Sequence, residues 1–531
     1  MSLLVHQPCA GPTVQAAASS KACSPSEARW VLAATILASS MAFIDGTVVN
    51  VALPFLQKEL NATAIGVQWV VESYALLLSA LLLVGGSLGD RYGRRRIFIV
   101  GTVIFVLASV ACGVSVNIGQ LIAARAAQGV GAALLIPGSL ALISASFSEE
   151  QRGRAIGTWS GFSAITTAIG PVLGGWLVEH VSWRAVFFLN LPIAFGVILI
   201  SLWRVPESHD RNEKGSLDWV GAILATLGLG GVVYGLIESS RVGFSNSTVI
   251  VSLVAGTIML ALFVLNEVRA KNPMVPLRLF KSRDFTGANL LTLFLYAALM
   301  GTLFFFALDL IQVQHYSATA AGSALLPFVV LMFALSRWSG GLIDRFGPRL
   351  PLTIGPLVAA VGFVLFARPS ANANYWTDFL PAVLVLGLGM AISVAPLTTT
   401  VMGSVSSEQA GVASGINNAV SRAAGLMAIA VFGVIMLQIF GSQLRERLNQ
   451  VPVSQEVREA ITEQRVRLAG IEVPSTLDPA IRSSLQTAIH ESFQSGFRIL
   501  MLVSAGLALS SSLVAWSLIG SSRKRSRAES G

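Results

Sequence analysis

The chain has 531 residues, of which 54% are hydrophobic and only 12% carry a charge. Soluble domains carry about twice that charged fraction, so the composition excludes an ordinary soluble protein and predicts a membrane protein with many spans. The net charge is +9. The basic residues fall in short loops between apolar runs, which is typical of membrane orientation and does not indicate nucleic-acid binding.

The sequence predicts neither an enzyme active site nor a cofactor. Its three cysteines and five histidines lie too far apart to form a disulfide scaffold or a metal site. It has no phosphate-binding loop of the form GxxxxGK[ST], so we expect no ATPase in this chain. The expected partners are therefore a small-molecule substrate, protons and the lipid bilayer.

Fourteen apolar runs follow one another, each close to the length that a helix needs to cross a bilayer. The predicted spans are residues 30–54, 68–88, 97–116, 118–146, 155–177, 185–203, 218–238, 247–267, 285–312, 322–338, 351–367, 379–401, 410–439 and 497–519. Residues 1–28 are polar and lack the apolar stretch of a signal peptide, which predicts a disordered cytoplasmic tail.

A charged loop after the second span returns after the tenth. In both copies a Gly lies four residues before an Asp, an Arg follows the Asp, and another Gly lies three residues after it. The positions are Gly86, Asp90, Arg91, Gly93 and Arg94 in the first copy, and Gly340, Asp344, Arg345 and Gly347 in the second. The repeat indicates an internal duplication, and its spacing fits eight spans, so two extra helices lie between two six-helix halves.

This arrangement predicts an N-terminal six-helix bundle at 29–204 and two linker helices with basic loops at 205–284. A C-terminal six-helix bundle at 285–519 and a basic tail at 520–531 complete the chain. Within the second bundle, the apolar spacing of residues 440–496 indicates one or two amphipathic surface helices. Short loops on one side hold most of the Lys and Arg residues, so we expect both termini in the cytoplasm and 440–496 outside.

The repeated loop resembles the loop between the second and third helices of major facilitator superfamily transporters. Residues 43–54 resemble the first-helix signature of the fourteen-helix drug:proton antiporters in that superfamily, and residues 121–133 resemble the superfamily's fourth-helix motif. The antiporter motif of the fifth helix is matched by Gly170, Pro171, Gly174 and Gly175. The resemblance implies an all-α polytopic fold in the cell membrane and drug export by alternating access, coupled to protons.

The residues of these motifs allow both a functional and a structural interpretation. In the repeated loop, Gly permits a tight turn, and the Asp can cap a helix and pair with an Arg of the neighbouring bundle. The alternative is a solvated basic loop that only anchors topology. The glycines of the fifth span let the helix bend and approach a neighbour closely, either to seal the bundle or as ordinary small-residue packing.

Ionisable residues inside the spans are the candidates for proton coupling, because a charge in the bilayer usually faces a cavity or a partner. Counting 1.5 Å per residue places Asp45, Glu72 and Arg125 in one layer of the outer half. The alternatives are a purely structural pair of Asp45 with Arg125 and a merely hydrated Glu72. Asp309, near the outer end of the ninth span, is predicted either to couple protons or to be a solvated rim acid.

Polar side chains in the spans are candidates for lining the substrate cavity. They are Asn50, Gln128, Asn417, Asn418 and Arg422. For the last three, interhelical bonds that lock packing are the alternative.

The leading prediction is a proton-coupled exporter of amphipathic small molecules, acting as a monomer or with an accessory efflux partner. An exporter of one endogenous lipid or metabolite and a non-transporting membrane sensor or scaffold are the alternatives. Charged residues within the spans favour transport, because a scaffold does not need them.

Overall fold

The computed structural model describes residues 25–147, 149–208, 218–271, 273–370, 373–405 and 409–520. Most of the predicted N-terminal tail and nearly all of the predicted C-terminal tail lie outside this part of the chain. The first helix begins at Pro25, so the last four residues of the predicted tail at 1–28 are helical.

All regular elements in the described part of the chain are helical. The first half contains α1 (Pro25–Glu59), α2 (Ala64–Tyr92), α3 (Arg94–Gly113), α4 (Ile118–Ser146), α5 (Glu149–His180), α6 (Trp183–Phe188), α7 (Asn190–Arg204), α8 (Trp219–Val242) and α9 (Ser247–Arg269). The second half contains α10 (Arg283–Leu308), α11 (Ala318–Ser323), α12 (Leu326–Gly340), α13 (Leu342–Phe346), α14 (Arg349–Phe366), α15 (Leu380–Gly403), α16 (Ala410–Leu448), α17 (Gln455–Glu463) and α18 (Pro479–Leu518).

Thirteen helical segments among the described residues are long and apolar enough to cross a membrane. The predicted span at 155–177 is not counted among them, but it lies within α5, a helix of 32 residues. The predicted span at 185–203 is divided at Leu189 into α6 and α7. The fold is therefore the predicted all-α membrane architecture, and the helices follow the predicted order along the chain.

The contacts divide the chain into two units. The first unit comprises Met1–Gly235, Ile250–Val275 and Ser317–Gly322, and the second comprises Leu236–Val249, Pro276–Tyr316 and Ser323–Gly531. The predicted linker at 205–284 does not form a unit of its own. Most of α8 and α9 belongs to the first unit, whereas the tip of their hairpin belongs to the second.

In the first unit, α4 packs against both α2 and α3. Glycines make these contacts close, because small residues let helix backbones approach in membranes. A Cβ at Gly85 of α2 would overlap the carbonyl of Ala133 in α4, and a Cβ at Gly131 of α4 would lie 2.6 Å from the backbone nitrogen of Phe105 in α3. This packing fixes the position of α4, which carries Arg125.

In the second unit, α10 packs against α16 and α18, and α14 packs against α15. Helices α16 and α18 have 39 and 40 residues, well beyond the roughly 20 that a span needs. Their ends occupy much of the predicted surface segment at 440–496. The described part of that segment contains one short separate helix, α17, followed by a 3-10 turn at Gln464–Gly470.

Candidate functional site

A buried ion pair joins α1 to α4 in the first unit. Arg125 Nη1 donates to Asp45 Oδ2 at 2.5 Å, and the two side chains are 1% and 0% exposed. The guanidinium also donates to Gln128 Oε1 at 2.7 Å and to the Val70 carbonyl at 3.1 Å, and it lies over the Tyr74 ring. These further contacts matter because a buried ion pair is stable only when its remaining polar atoms are also satisfied.

The other oxygen of Asp45 is held by two amides. Oδ1 accepts hydrogen bonds from Gln128 Nε2 at 2.8 Å and from Asn190 Nδ2 at 3.0 Å. The same two nitrogens donate to Ser109 Oγ, at 2.8 and 3.1 Å. Asp45 therefore accepts three hydrogen bonds, one of them from a cation, and this set of donors suits the ionised carboxylate.

The sequence prediction missed Asn190 and Ser109. Asn190 begins α7 immediately after the break at Leu189, and it is buried. Ser109 lies within the apolar run of α3. Residues 188–192 resemble the opening of the sixth helix in the antiporter group, but that resemblance does not indicate a partner for Asn190 at 145 residues' distance. The first unit thus brings residues of α1, α3, α4 and α7 together around one carboxylate.

The predicted antiporter motif lies directly beside this network. A Cβ at Gly170 of α5 would overlap Thr47 Oγ1 in α1, and a Cβ at Gly174 would overlap the Val48 side chain. These contacts lie two and three residues beyond Asp45 in the same helix. Close packing of α5 therefore helps to fix the position of the acid.

The same motif packs against residues 317–322, which belong to the first unit. A Cβ at Gly175 would overlap the Ala318 carbonyl, and a Cβ at Gly322 would overlap the carbonyl of Pro171. The Glu179 carboxylate accepts hydrogen bonds from the backbone and the hydroxyl of Thr319. The end of α5 and α11 are therefore joined by backbone-to-backbone packing and by a carboxylate.

Glu72 of α2 does not join the Asp45 network. Its side chain is 0% exposed, which makes the hydrated alternative wrong. Neither carboxylate oxygen has a hydrogen-bond partner among the described residues. A carboxylate in this position would be an uncompensated buried charge, which is costly, and a bound proton removes that charge.

Asp309 lies in the second unit, in a π-helical turn at Asp309–Val313 that follows α10. It is 0% exposed, so the predicted alternative of a solvated rim acid is wrong. Gln494 Nε2 of α18 donates to Asp309 Oδ1 at 2.5 Å. The acid is therefore held between two helices of the second unit, whereas Asp45 belongs to the first.

The first copy of the charged loop is a turn between α2 and α3. Gly93 has φ +110°, a conformation that favours glycine. Asp90 pairs with Arg94, whose Nε donates to Oδ1 at 2.7 Å. Asp90 was expected to cap a helix, but Glu207 caps α3 here. The backbone N–H of Arg95 at the start of α3 donates to Glu207 Oε1 at 3.0 Å. Glu207 follows α7 and was missed in the sequence.

The second copy of the loop has a glycine with a positive φ at the same position, since φ of Gly347 is 73°. Arg345 lies over the ring of Phe346, and Gly340 ends α12. The side chain of Asp344 lies outside the described residues. Both predicted loops therefore contain a glycine turn at the same position.

The candidate cavity residues have different surroundings. Gln128 belongs to the Asp45 network, and Asn417 Nδ2 donates to Asn289 Oδ1 and Thr292 Oγ1 of α10, which is the predicted packing alternative. Asn418 is exposed and donates to the Ser414 carbonyl of its own helix. Asn50 and Arg422 are half-buried.

A cavity of about 560 Å³ lies in the second unit, between the tip of the α8–α9 hairpin and α16. Phe244, Gln438, Arg445 and Arg465 are among its lining residues, which include none of the cavity residues predicted from the sequence.

Comparison with known proteins identifies the family. The sequence profile described as Major Facilitator Superfamily matches residues 35–430. The chain belongs to the major facilitator superfamily. It is therefore an integral membrane transporter and not an enzyme.

Relatives in this superfamily match nearly the whole chain. The chain is 33% identical over 493 residues to "Multidrug resistance protein Stp" of Mycobacterium tuberculosis (strain CDC 1551 / Oshkosh), covering 91% of both chains. It is 31% identical to the "Tetracenomycin C resistance and export protein" of Streptomyces glaucescens, covering 91% of this chain and 90% of that protein. The "Methylenomycin A resistance protein" of Bacillus subtilis (strain 168) is 33% identical over 408 residues, covering 76% and 87%.

Solved structures of other major facilitator transporters share the fold. A bacterial homolog of the human lysosomal transporter Spinster matches with a TM-score of 0.63 at 16% identity, covering 92% of this chain and 98% of that one. The D-xylose-proton symporter matches with a TM-score of 0.60 at 12% identity, covering 93% and 98%. At these identities the likeness establishes the fold alone.

Proposed function

We propose that this transporter exports amphipathic small molecules, antibiotics among them, in exchange for protons. The observation that carries the proposal is the fully buried Asp45–Arg125 pair, in a chain whose relatives along nine-tenths of its length are named for resistance and export. Burying an ion pair in a membrane costs free energy, and such pairs usually mark an ion or substrate pathway.

Asp45 is the proposed coupling acid. In the ionised form it accepts hydrogen bonds from Arg125, Gln128 and Asn190. Protonation removes its charge, which weakens the bond to the guanidinium and leaves Arg125 without its counterion. The network then has to rearrange, and this rearrangement links proton binding at α1 to movement of α4. Gln128 acts here as a positioning residue for the acid.

Glu72 is the proposed second proton carrier of the first unit. It has no counterion and no hydrogen bond among the described residues, so its charge depends on proton binding alone. Asp45 is bonded to three donors and Glu72 to none among the described residues, so a proton changes different contacts at the two acids. The two acids can therefore be loaded at different steps of the cycle.

The motif residues have proposed roles in alternating access. Gly86, Asp90, Arg91, Gly93 and Arg94 form the first conformational loop, and Gly340, Asp344, Arg345 and Gly347 form the second. Gly170, Pro171, Gly174 and Gly175 keep α5 in close contact with α1 and α11. Asn50, Asn418 and Arg422 remain the proposed substrate contacts. Asn417 is not among them, because its side chain bonds to α10 in helix packing.

We place the protein in the cell membrane, as a monomer or with an accessory efflux partner, with both termini in the cytoplasm. This orientation rests on the Lys and Arg asymmetry of the loops.

The test is transport of a fluorescent cation such as ethidium by purified protein in liposomes. We expect an imposed proton gradient to drive substrate movement, an uncoupler to stop it, and Asp45→Asn to abolish it. The control is Gly196→Ala in α7, because a Cβ at Gly196 meets no atom within 4 Å. Proton-driven transport by Asp45→Asn at the wild-type rate would remove Asp45 from the mechanism. Absence of uncoupler-sensitive transport in the wild type, for ethidium and a panel of antibiotics, would refute the proposed function.

A further inference from the structure

A histidine pair lies near Asp309, at the end of the second unit that carries α17. The rings of His315 and His490 are 5.1 Å apart between centroids and meet at 63°. His315 is exposed and has a positive φ of 56° in the turn that follows the π-helical segment, whereas His490 is half-buried in α18. One ring of the pair therefore lies at the surface of the unit, and the other lies partly inside it.

The helical periodicity of α18 connects this pair to the buried acid. His490 and Gln494 are four residues apart, so they lie on one face of the helix with Cβ atoms about 6 Å apart. Gln494 Nε2 donates to Asp309 Oδ1 at 2.5 Å. An exposed histidine, a half-buried histidine and a fully buried carboxyl thus follow one another from the surface inward.

The geometry at Asp309 leaves one oxygen for a proton. Oδ1 is occupied by Gln494, while Oδ2 has no hydrogen bond among the described residues. The Gln314 side chain donates to the Ser370 carbonyl at 3.0 Å. The acid also begins a π-helical turn, an irregularity that occurs frequently at functional sites. A turn that only connected two helices would not need a buried acid.

Several other charged groups on the elements around the pair have partners of their own. Glu491 pairs with Arg447, and Arg467 pairs with Glu472 at 3.7 Å. Arg498 Nε donates to the Ala367 carbonyl at 3.1 Å.

Further titratable groups near Asp309 lie towards the π-helical turn at Tyr375–Phe379. Asp378 Oδ2 accepts from the backbone nitrogen of Asn374 at 2.7 Å, and the Tyr375 hydroxyl donates to the Ala324 carbonyl at 2.8 Å. Tyr316 is a phenol, which does not titrate near neutral pH. The two histidines are therefore the groups around Asp309 suited to exchange protons at physiological pH.

We propose that Asp309 is a proton-binding site of the second unit and that His315 and His490 connect it to water. The inference rests on the proposed proton-coupled export. His315 takes a proton from water and passes it to His490, and water carries it on to Asp309 Oδ2. Each imidazole returns to its neutral form, and the carboxylate becomes a carboxylic acid. Release follows the same route in reverse.

The test compares two rates in liposomes that contain purified protein, with ethidium as substrate. Proton-driven uptake requires net proton movement, whereas exchange of ethidium at equal pH on both sides does not. We expect His490→Ala and His315→Ala to slow proton-driven uptake by about 100-fold or more, as the loss of an acid–base group does, and to leave exchange at the wild-type rate. The control is His180→Ala, an exposed histidine stacked on Trp176 in the first unit.

A merely structural role for the histidines would slow both rates equally, and that outcome overturns the relay, as does wild-type proton-driven uptake in both variants. Proton binding at Asp309 is measured separately, by infrared difference spectroscopy of the purified protein across a pH titration. We expect a carboxylic acid band that Asp309→Asn removes, and a spectrum unchanged by Asp309→Asn overturns the site. This readout needs no transport, so it separates failure of this inference from failure of the proposed export.

Discussion

Asn190 Nδ2 donates a hydrogen bond of 3.0 Å to Asp45 Oδ1, although the two residues are 145 positions apart in the chain. The bond joins the first residue of α7 to the middle of α1. It gives the proposed coupling acid a partner that is neither charged nor part of the same helix pair as Arg125. The position of α7 and the charge of Asp45 are therefore linked, since the amide bonds more strongly to a carboxylate than to a neutral acid.

Replacing Asn190 should make proton binding easier at Asp45. Asn190→Ala removes one donor from the carboxylate, a bond to a charged group worth about 1.5–3 kcal/mol. We expect the pH of half-maximal export to rise, because the carboxylate loses a donor that favours its ionised form. The measurement is the pH profile of ethidium transport in liposomes. An unchanged profile, with Asn190→Ala folded and inserted, would contradict the role of this hydrogen bond.

Arg125 and Asp45 should be coupled in stability as well as in transport. Removing one partner of a buried pair costs about 3–5 kcal/mol, because the other charge is left uncompensated. We expect Arg125→Gln to be less stable than the double variant Asp45→Asn with Arg125→Gln. Arg125→Lys keeps the charge but loses the bonds from two separate nitrogens, so we expect partial export.

Thermal unfolding in detergent of the wild type, both single variants and the double variant gives the coupling energy directly. Additive effects of the two substitutions would show that the pair contributes no interaction energy.

Glu207 should matter to the charged loop as much as Asp90 does. Its carboxylate caps the N-terminus of α3 and lies near Arg95 and Arg96. We expect Glu207→Ala to cost about 1 kcal/mol of stability, as loss of a helix cap does, and to impair export. Asp90→Asn should impair export while the protein stays folded and inserted.

The matched measurement for both variants is transport normalised to the amount of protein in the membrane. Normal transport by Asp90→Asn would leave the loop as a topological anchor only.

The glycine of the antiporter motif that meets α11 should tolerate no side chain. A Cβ at Gly175 overlaps the Ala318 carbonyl, whereas a Cβ at Gly196 in α7 meets no atom within 4 Å. We therefore expect Gly175→Val to lower stability by about 1–3 kcal/mol, the cost of overpacking, and to reduce export. Gly196→Val is the control and should behave as the wild type. Equal behaviour of the two variants would argue against close packing at the motif.

The orientation can be tested by labelling single cysteines in a cysteine-free background. Ser245 and Thr476 are exposed in the structure, at the tip of the α8–α9 hairpin and just before α18. We expect a membrane-impermeant reagent added outside cells to label cysteines at these two positions. Cysteines at the exposed neighbours of Gly93 and Gly347, Tyr92 and Phe346, should react only after the membrane is opened. Labelling at Tyr92 in intact cells would reverse the proposed orientation.

The helical architecture could be predicted from the sequence because the bilayer allows few alternatives. An apolar run of about 20 residues must satisfy its backbone hydrogen bonds internally, which favours a helix wherever such a run occurs. The glycine turns at Gly93 and Gly347 were also predictable, since a repeated glycine between helices marks a backbone that other residues rarely adopt. The pairing of Asp45 with Arg125 followed from counting depth along two spans.

Only the tertiary structure decided which other side chains meet these residues. Glu72 was predicted in the same layer as Asp45, but depth along a helix does not specify the direction in which a side chain points, and Glu72 has no bond to the pair. Asp309 was placed near a helix end, yet a π-helical turn and Gln494 enclose it. The contacts of Asn190 and Glu207 were missed for the same reason. The rotation and packing of separate helices bring distant polar atoms together, and no local sequence pattern records that rotation.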